Sequence, residues 1–265
     1  MPVRPEPTAP VFADCPVEQE PYTATYRVRG SDIDGRMRVR LDGIARYLQN
    51  IGEDMIEDSG FFDSDPFWIL RRTVIEVREP LSWPGDARVE RWCSATSSRW
   101  VSMRQRVTGL PEASPFNPGD RPAGLVETES FCIKINDQGL PSRISDEALE
   151  ALSRGVDEQR LRWRAMNPAE PGEGTVEGPG FRLRATDLDQ FKHVNNTVYW
   201  QVAEEVLATR PELLEAPYRA VIEFLRPVPP DTQVRVLRTD VDDGFDLWLL
   251  LPDDAVATTI GLRRI

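Results

Sequence analysis

One histidine, two lysines and three cysteines in 265 residues restrict the chemistry open to this chain before any pattern is read. With His193 alone, a multi-histidine metal centre cannot form within one chain. Cys15, Cys93 and Cys132 lack C-x-x-C spacing and are odd in number, so neither a thiolate zinc site nor a disulfide framework is expected. No metal and no cofactor are implied, and the three thiols read as reduced. The G-x-S-x-G elbow of a serine hydrolase is missing as well. No apolar run approaches the roughly 18 residues of a membrane helix, and the N-terminal stretch lacks the charged-then-apolar layout of a secretory signal. A cytoplasmic protein without a membrane anchor is expected. The net charge of -12 argues against nucleic acid or an anionic membrane as main partner, since neutralising phosphates takes an excess of Lys and Arg on one face. What is present, 40% hydrophobic and 29% charged residues, suits a globular chain of one large domain or two ordinary ones.

The chain repeats itself. Arg27-Val-Arg-Gly-Ser-Asp-Ile-Asp34 lies over Arg182-Leu-Arg-Ala-Thr-Asp-Leu-Asp189 at a constant offset of 155. Extended to Val39 and Val194, the pairing holds five identities in thirteen positions, where chance would give roughly one. Val74-Ile-Glu-Val-Arg-Glu-Pro80 then lies over Val221-Ile-Glu-Phe-Leu-Arg-Pro227, and Val126, Thr128 and Ile135 fall over Val256, Thr258 and Ile265. Landmarks in the same order indicate a duplication.

Each half opens on a strand that ends in a D-x-D turn and leads into one substantial helix. Leu41, Ile44, Leu48, Ile51 and Met55 recur at three-to-four spacing, which predicts a helix over 41–58 stopped by Gly60. In the second half Val198, Val202 and Val206 make the corresponding stripe, with Asn195 or Asn196 as N-cap and Pro211 ending it. Alternating, β-branched segments follow at 73–79, 87–96, 99–108 and 124–135, and again at 219–225, 233–239, 245–251 and 256–264. One long helix per half among strands predicts an α+β fold of two antiparallel sheets, each wrapped on its own helix. Around the repeat, 1–20 with its five prolines reads as a disordered tail, 21–162 as the first unit, 163–180 as a linker and 181–265 as the second unit. A short helix is expected near Ser145–Arg154.

Residues 187–196, Asp-Leu-Asp-Gln-Phe-Lys-His-Val-Asn-Asn, gather two carboxylates, the only imidazole and two carboxamides between a strand and a helix. A helix start offers free N–H groups and a positive dipole end that can polarise a carbonyl, while a carboxylate or imidazole beside it can activate water. The plainer reading makes Asp187 and Asp189 turn residues, Asn195 and Asn196 caps, and His193 a hydrogen-bonding group of the turn. The repeat separates these. Asp32 and Asp34 keep the aspartates in the first half, but Arg38, Arg40 and Leu41 stand in the places of His193, Asn195 and Asn196. One active site and one degenerate site are therefore expected.

The segment Asp187-Leu-Asp-Gln-Phe-Lys-His-Val-Asn-Asn-Thr-Val-Tyr199 resembles the D-x-D-x-x-x-H-V-N-N-x-x-Y motif of hot-dog-fold thioesterases. The two-half layout, with Tyr26-Arg-Val-Arg, Trp68-Ile-Leu and Pro80-Leu-Ser-Trp-Pro-Gly-Asp86 in place, resembles the acyl-ACP thioesterases of plants and bacteria. The resemblance implies a double hot-dog and an internal pseudo-dimer, with further homodimerisation not required. It also implies hydrolysis of fatty acyl thioesters in fatty acid biosynthesis. By position, Asp189 matches the family's catalytic aspartate, His193 its histidine and Asn195 its first carboxamide. Phe191 and Pro227 stand where the plant enzymes have an asparagine and a glutamate, and Val228 where they have a cysteine.

A version that needs neither missing residue has backbone N–H groups near Val194 to Asn196 polarise the thioester carbonyl, Asp189 activate water or attack directly, and His193 orient it. Glu204 and Glu205 are candidates for a helix-borne base. Arg36, Arg38 and Arg40, with Arg160, Arg162 and Arg164, alternate as a basic face for acidic acyl carrier protein or coenzyme A phosphates. Phe61, Phe62, Phe67 and Trp68 are candidate acyl-pocket lining. Two rival functions fit the same turn: an enoyl- or hydroxyacyl-thioester hydratase-dehydratase, and a non-catalytic acyl-thioester-binding protein.

Overall fold

The computed structural model describes residues 12–215 and 217–265, the side chain of Phe62 excepted. The three-to-four spacing of Leu41, Ile44, Leu48 and Ile51 buries all four on one side of α1 (Leu41–Asp58), and Gly60 leaves the helix at a φ of 76° that a glycine adopts without strain. Before α1 stands β1 (Tyr22–Arg27). After it come α2 (Phe61–Ser64), β2 (Trp68–Glu79), β3 (Gly85–Thr96), β4 (Trp100–Pro111), β5 (Leu125–Lys134), α3 (Asp146–Leu152) and β6 (Val176–Glu177). The second half adds α4 (Tyr199–Thr209), β7 (Tyr218–Phe224), β8 (Arg235–Val241), β9 (Gly244–Leu250) and β10 (Val256–Arg264).

All named strands join one antiparallel sheet in the order β1-β3-β4-β5-β2-β7-β10-β9-β8-β6. The order β3-β4-β5-β2 is repeated as β8-β9-β10-β7, so the two halves meet back to back where Arg72–Val77 of β2 pairs with Tyr218–Glu223 of β7. Both helices lie on the same side of this double hot-dog sheet. Their apolar stripes, continued in α4 by Val202, Ala203, Val206 and Leu207, form one core with Ile75, Val89, Val107, Ile222 and Ile260. Each aliphatic side chain taken fully out of water there contributes about 1.5–3 kcal/mol.

Two expectations change. Residues 1–11 of the expected tail lie outside the described residues, and 12–20 are held against the sheet. The Gln19 carboxamide donates to the Cys93 carbonyl (3.1 Å) and accepts from the Cys93 N–H (3.1 Å), while Phe12 packs 4.2 Å from the Arg104 guanidinium. The linker is likewise anchored: the Asn167 amide donates to Val221, and Trp248 donates to Pro168. Proline-rich composition signals the absence of a helix or strand; it does not report the single side-chain bonds that hold such a segment.

Candidate active site

The two D-x-D turns are the same structure. Asp32 and Asp187, both buried, accept the N–H groups of Arg29 and Arg184 at 3.2 and 2.9 Å. Oδ1 of Asp34 accepts from the Arg36 and Arg38 N–H groups (2.9 and 3.1 Å), and Oδ1 of Asp189 accepts from Phe191 and His193 (both 2.9 Å). Met37 and Lys192, equivalent by the offset, both adopt left-handed backbone with φ of 64° and 60°. Two backbone N–H groups closing on one carboxylate oxygen form a local Asx-type turn. In each half, then, the aspartates shape the turn through these bonds.

What differs is the side chain each turn presents. In the first half Arg38 is buried, with Nε donating to Asp34 (2.9 Å) and Nη1 to Glu204 (3.2 Å) and Tyr218 (3.3 Å). Burial works against this charge, but Tyr218, Glu204 and Asp34 outweigh it and hold the guanidinium above its ordinary pKa. Glu204 Oε1 also accepts the Leu41 N–H at 2.6 Å, so a carboxylate of α4 caps the first turn of α1. The space at the first-half turn is filled by its own ion pair. Glu204, considered above as a base, is therefore corrected to a structural anchor, and Glu205 is exposed on a separate hollow beside Arg182 and Arg184.

In the second half the turn opens on a cavity of about 760 Å³. His193 is exposed at its wall, and its imidazole has no hydrogen-bond partner among the described residues. Asn195 is half-buried and also lines the cavity. Its Oδ1 accepts the Thr197 N–H (2.9 Å) and hydroxyl (2.8 Å), and among the described residues Nδ2 has no acceptor and can donate into the cavity. The N-cap expectation shifts by a turn: because Asn195 caps 196–198 first, α4 begins only at Tyr199. The expected set of N–H donors also narrows. The Val194 N–H donates to the Val228 carbonyl (3.4 Å) and the Asn195 N–H to the Asp187 carbonyl (2.8 Å), which leaves the Asn196 N–H unengaged among the described residues.

Most of the remaining walls come from the first half, with Leu48, Met55, Phe61, Phe67, Trp68 and Met103 giving them an apolar character, and Trp200, Phe224 and Pro227 add to them from the second. Gln49 and Glu53 of α1 reach the same space, joined by a 2.9 Å bond from the Gln49 amide to the Glu53 carboxylate. By the offset Gln49 is the counterpart of Glu204, a pairing readable in the sequence once the repeat is extended into the helix. Tyr199 lines the cavity too, and burial together with the Asp189 charge pushes its phenol upward. The basic face is corrected in part. Arg38 is buried and Arg40 is paired with Asp42 (2.8 Å), whereas Arg160, Arg162 and Arg164 are exposed at alternate positions.

Comparison with known proteins matches residues 19–117 to the acyl-ACP thioesterase N-terminal domain and 174–250 to the acyl-ACP thioesterase C-terminal domain. An uncharacterized protein of Mycobacterium tuberculosis is 38% identical over 245 residues, covering 92% of each chain. Among solved structures, an acyl-ACP thioesterase from Bacteroides thetaiotaomicron superposes with a TM-score of 0.66 at 16% identity, over 91% of this chain and 96% of that one. The 12:0-ACP thioesterase of Umbellularia californica gives 0.64 at 16% identity, over 92% and 96%.

Proposed function

We propose, from the premise that the chain belongs to the acyl-ACP thioesterase family and is a thioester hydrolase, that it releases free fatty acid from acyl carrier protein during fatty acid synthesis in the cytoplasm. The two units divide the work. The first (21–162) supplies most of the acyl cavity and the second (181–265) the turn that meets the thioester. The observation that carries this reading is an unpartnered imidazole beside a free carboxamide N–H on the wall of a largely apolar cavity.

With the thioester carbonyl beside Asn195, Nδ2 of that residue and the Asn196 N–H receive the oxygen as it becomes an anion. His193 takes a proton from the attacking water and returns it to the departing thiolate as the tetrahedral intermediate collapses to acid and thiol. Asp189 holds the loop: its Oδ1 accepts the Phe191 and His193 N–H groups, and these bonds hold His193 in place. Arg160, Arg162 and Arg164 offer the acidic carrier protein an exposed basic strip, and the free thiols Cys15, Cys93 and Cys132 suit a reducing compartment.

Release of free acid from a panel of acyl-carrier-protein thioesters tests this, beside His193→Ala and Asn195→Ala. Each variant is expected to lose about a hundredfold or more in kcat while remaining folded. A hydrated or dehydrated thioester as product would instead assign the turn to hydratase-dehydratase chemistry. Binding of thioester with no turnover above the variants would leave a binding protein.

A further inference from the structure

The inner face of the first-half sheet changes character under the middle of α1. Ile75, Val77, Val89, Val107 and Val126 are fully buried against the helix. Two residues further along each strand, and so on the same face, the side chains turn polar: Arg91 on β3, Gln105 on β4, Thr128 and Ser130 on β5, Thr73 on β2. The register runs Arg91 to Gln105 to Thr128 and Ser130 to Thr73, which makes a continuous polar belt across four strands. Arg91, Ser130 and Thr73 line the cavity.

The middle of the belt is bonded within itself, whereas Arg91 at its β3 end keeps donors without acceptors. The Gln105 nitrogen donates to the Met103 carbonyl (3.2 Å) and the Thr128 hydroxyl (2.7 Å), and its oxygen accepts from Arg91. Arg91 has no other partner among the described residues: its Nε is buried without an acceptor, and it enters no ion pair there. Burial pushes its guanidinium below the ordinary value, opposed only by the thiols Cys132 and Cys93. The fully buried arginines of the sheet are treated differently, for Arg72 meets Glu129 at 3.4 Å and Arg104 meets Glu127 at 2.6 Å. Arg71, also on the cavity wall, feels the Glu223 charge and stacks on Trp163. Gly52 of α1 lies over the Arg91 guanidinium, where a Cβ would sit 3.8 Å from its carbon and both terminal nitrogens, so the helix offers no side chain to cover it.

We propose that Arg91 is a subsite for a carboxylate at the far end of the acyl chain, so that the preferred substrate class is an ω-carboxyacyl thioester, the half-thioester of a long dicarboxylic acid. A guanidinium in an apolar cavity stays charged and matches a carboxylate through two parallel N–H bonds, whereas a hydroxyl would leave the charge unanswered. Position fits the far end. Phe224 of β7 and Pro227 line the cavity on the side of the catalytic turn, and β3 lies four strands away, roughly 19 Å at about 4.8 Å per strand.

This rests on the thioesterase reading, and the experiment separates the two. Unsubstituted, ω-hydroxy and ω-carboxy acyl-carrier-protein thioesters of matched lengths are compared by kcat/KM in the wild type and in Arg91→Met. The wild type is expected to favour the ω-carboxy series by tenfold or more, and R91M to invert that ratio. Preference for unsubstituted or ω-hydroxy chains at every length, or an unchanged ratio in R91M, would overturn the proposal. If the wild type hydrolyses none of the three, the thioesterase reading fails and calorimetry with a free dicarboxylic acid decides the subsite: binding lost in R91M supports it, and no binding to wild type overturns it. Should R91M not fold, Arg91→Gln gives the same comparison, and the wild-type preference alone remains decisive.

Discussion

Arg38→Met tests whether the first-half turn is a structural remnant or a working site. The substitution keeps a long side chain but removes the cation that answers Glu204 and Asp34, whose side chains are 10% and 21% exposed. Taking one partner from a buried ion pair costs about 3–5 kcal/mol, because the other charge is left without compensation. At about 2–4 °C per kcal/mol for a chain near this size, unfolding should move down by roughly 10 °C. The double variant Arg38→Met with Glu204→Met removes both charges. It should recover most of that loss, remaining lower by about 0.5–1.5 kcal/mol for the Leu41 N–H left without its acceptor. Calorimetric unfolding of wild type, both single variants and the double variant gives the coupling directly. Hydrolysis measured well below the transitions should stay near wild type in all three variants, since His193 and Asn195 are untouched. An R38M protein as stable as wild type would refute the buried-pair account. One of normal stability without turnover would place chemistry in the first half.

Further outcomes follow from the same contacts. Asp189→Asn retains an oxygen for the Phe191 and His193 N–H groups, so its kcat should fall by no more than about tenfold, ~1.4 kcal/mol; a collapse to the His193→Ala level would make Asp189 a nucleophile. Asp189→Ala should lose more, with about 1–3 kcal/mol of loop stability, read by hydrogen exchange at Phe191 and His193. Burial pushes the Cys132 thiol up to about 11 and the Cys93 thiol to about 12, so at pH 8 both should react slowly with a disulfide reagent. Cys132, on the cavity wall, should be slowed further by bound fatty acid; rapid modification of Cys93 would contradict its burial. Gly43→Ala would set a Cβ 2.9 Å from the Asp32 carbonyl oxygen, and a melting temperature no lower than wild type would contradict that close approach.

Local periodicity carried most of the fold. The stripe from Leu41 to Ile51 and the β-branched alternation were enough for α1 and the eight main strands because each records a face turned toward the same core. The repeat carried the loops as well, down to the left-handed backbone shared by Met37 and Lys192. What local pattern could not carry was contact across the molecule. Arg36, Arg38 and Arg40 alternate like an exposed strand, yet Arg38 turns inward because its partner Glu204 stands 166 residues away on the other helix. Glu204 looked like a candidate base for the same reason in reverse. The start of α4 was read two or three residues early, since an asparagine that caps a helix and one that caps the turn before it look alike in sequence. Arg91 gave no sign of itself, because its isolation depends on which neighbours are missing.

The seam between β2 and β7 joins the two copies through backbone bonds within a single polypeptide. In a dimer of identical subunits every substitution is made twice, and a guanidinium introduced at the turn would erase both imidazoles together. Here one change alters one copy. The first half carries an internal clasp, Arg38 on Glu204, at its turn and gives most of the walls of the cavity, while the turn of the second carries His193 and Asn195. Covalent fusion gave the two copies separate histories.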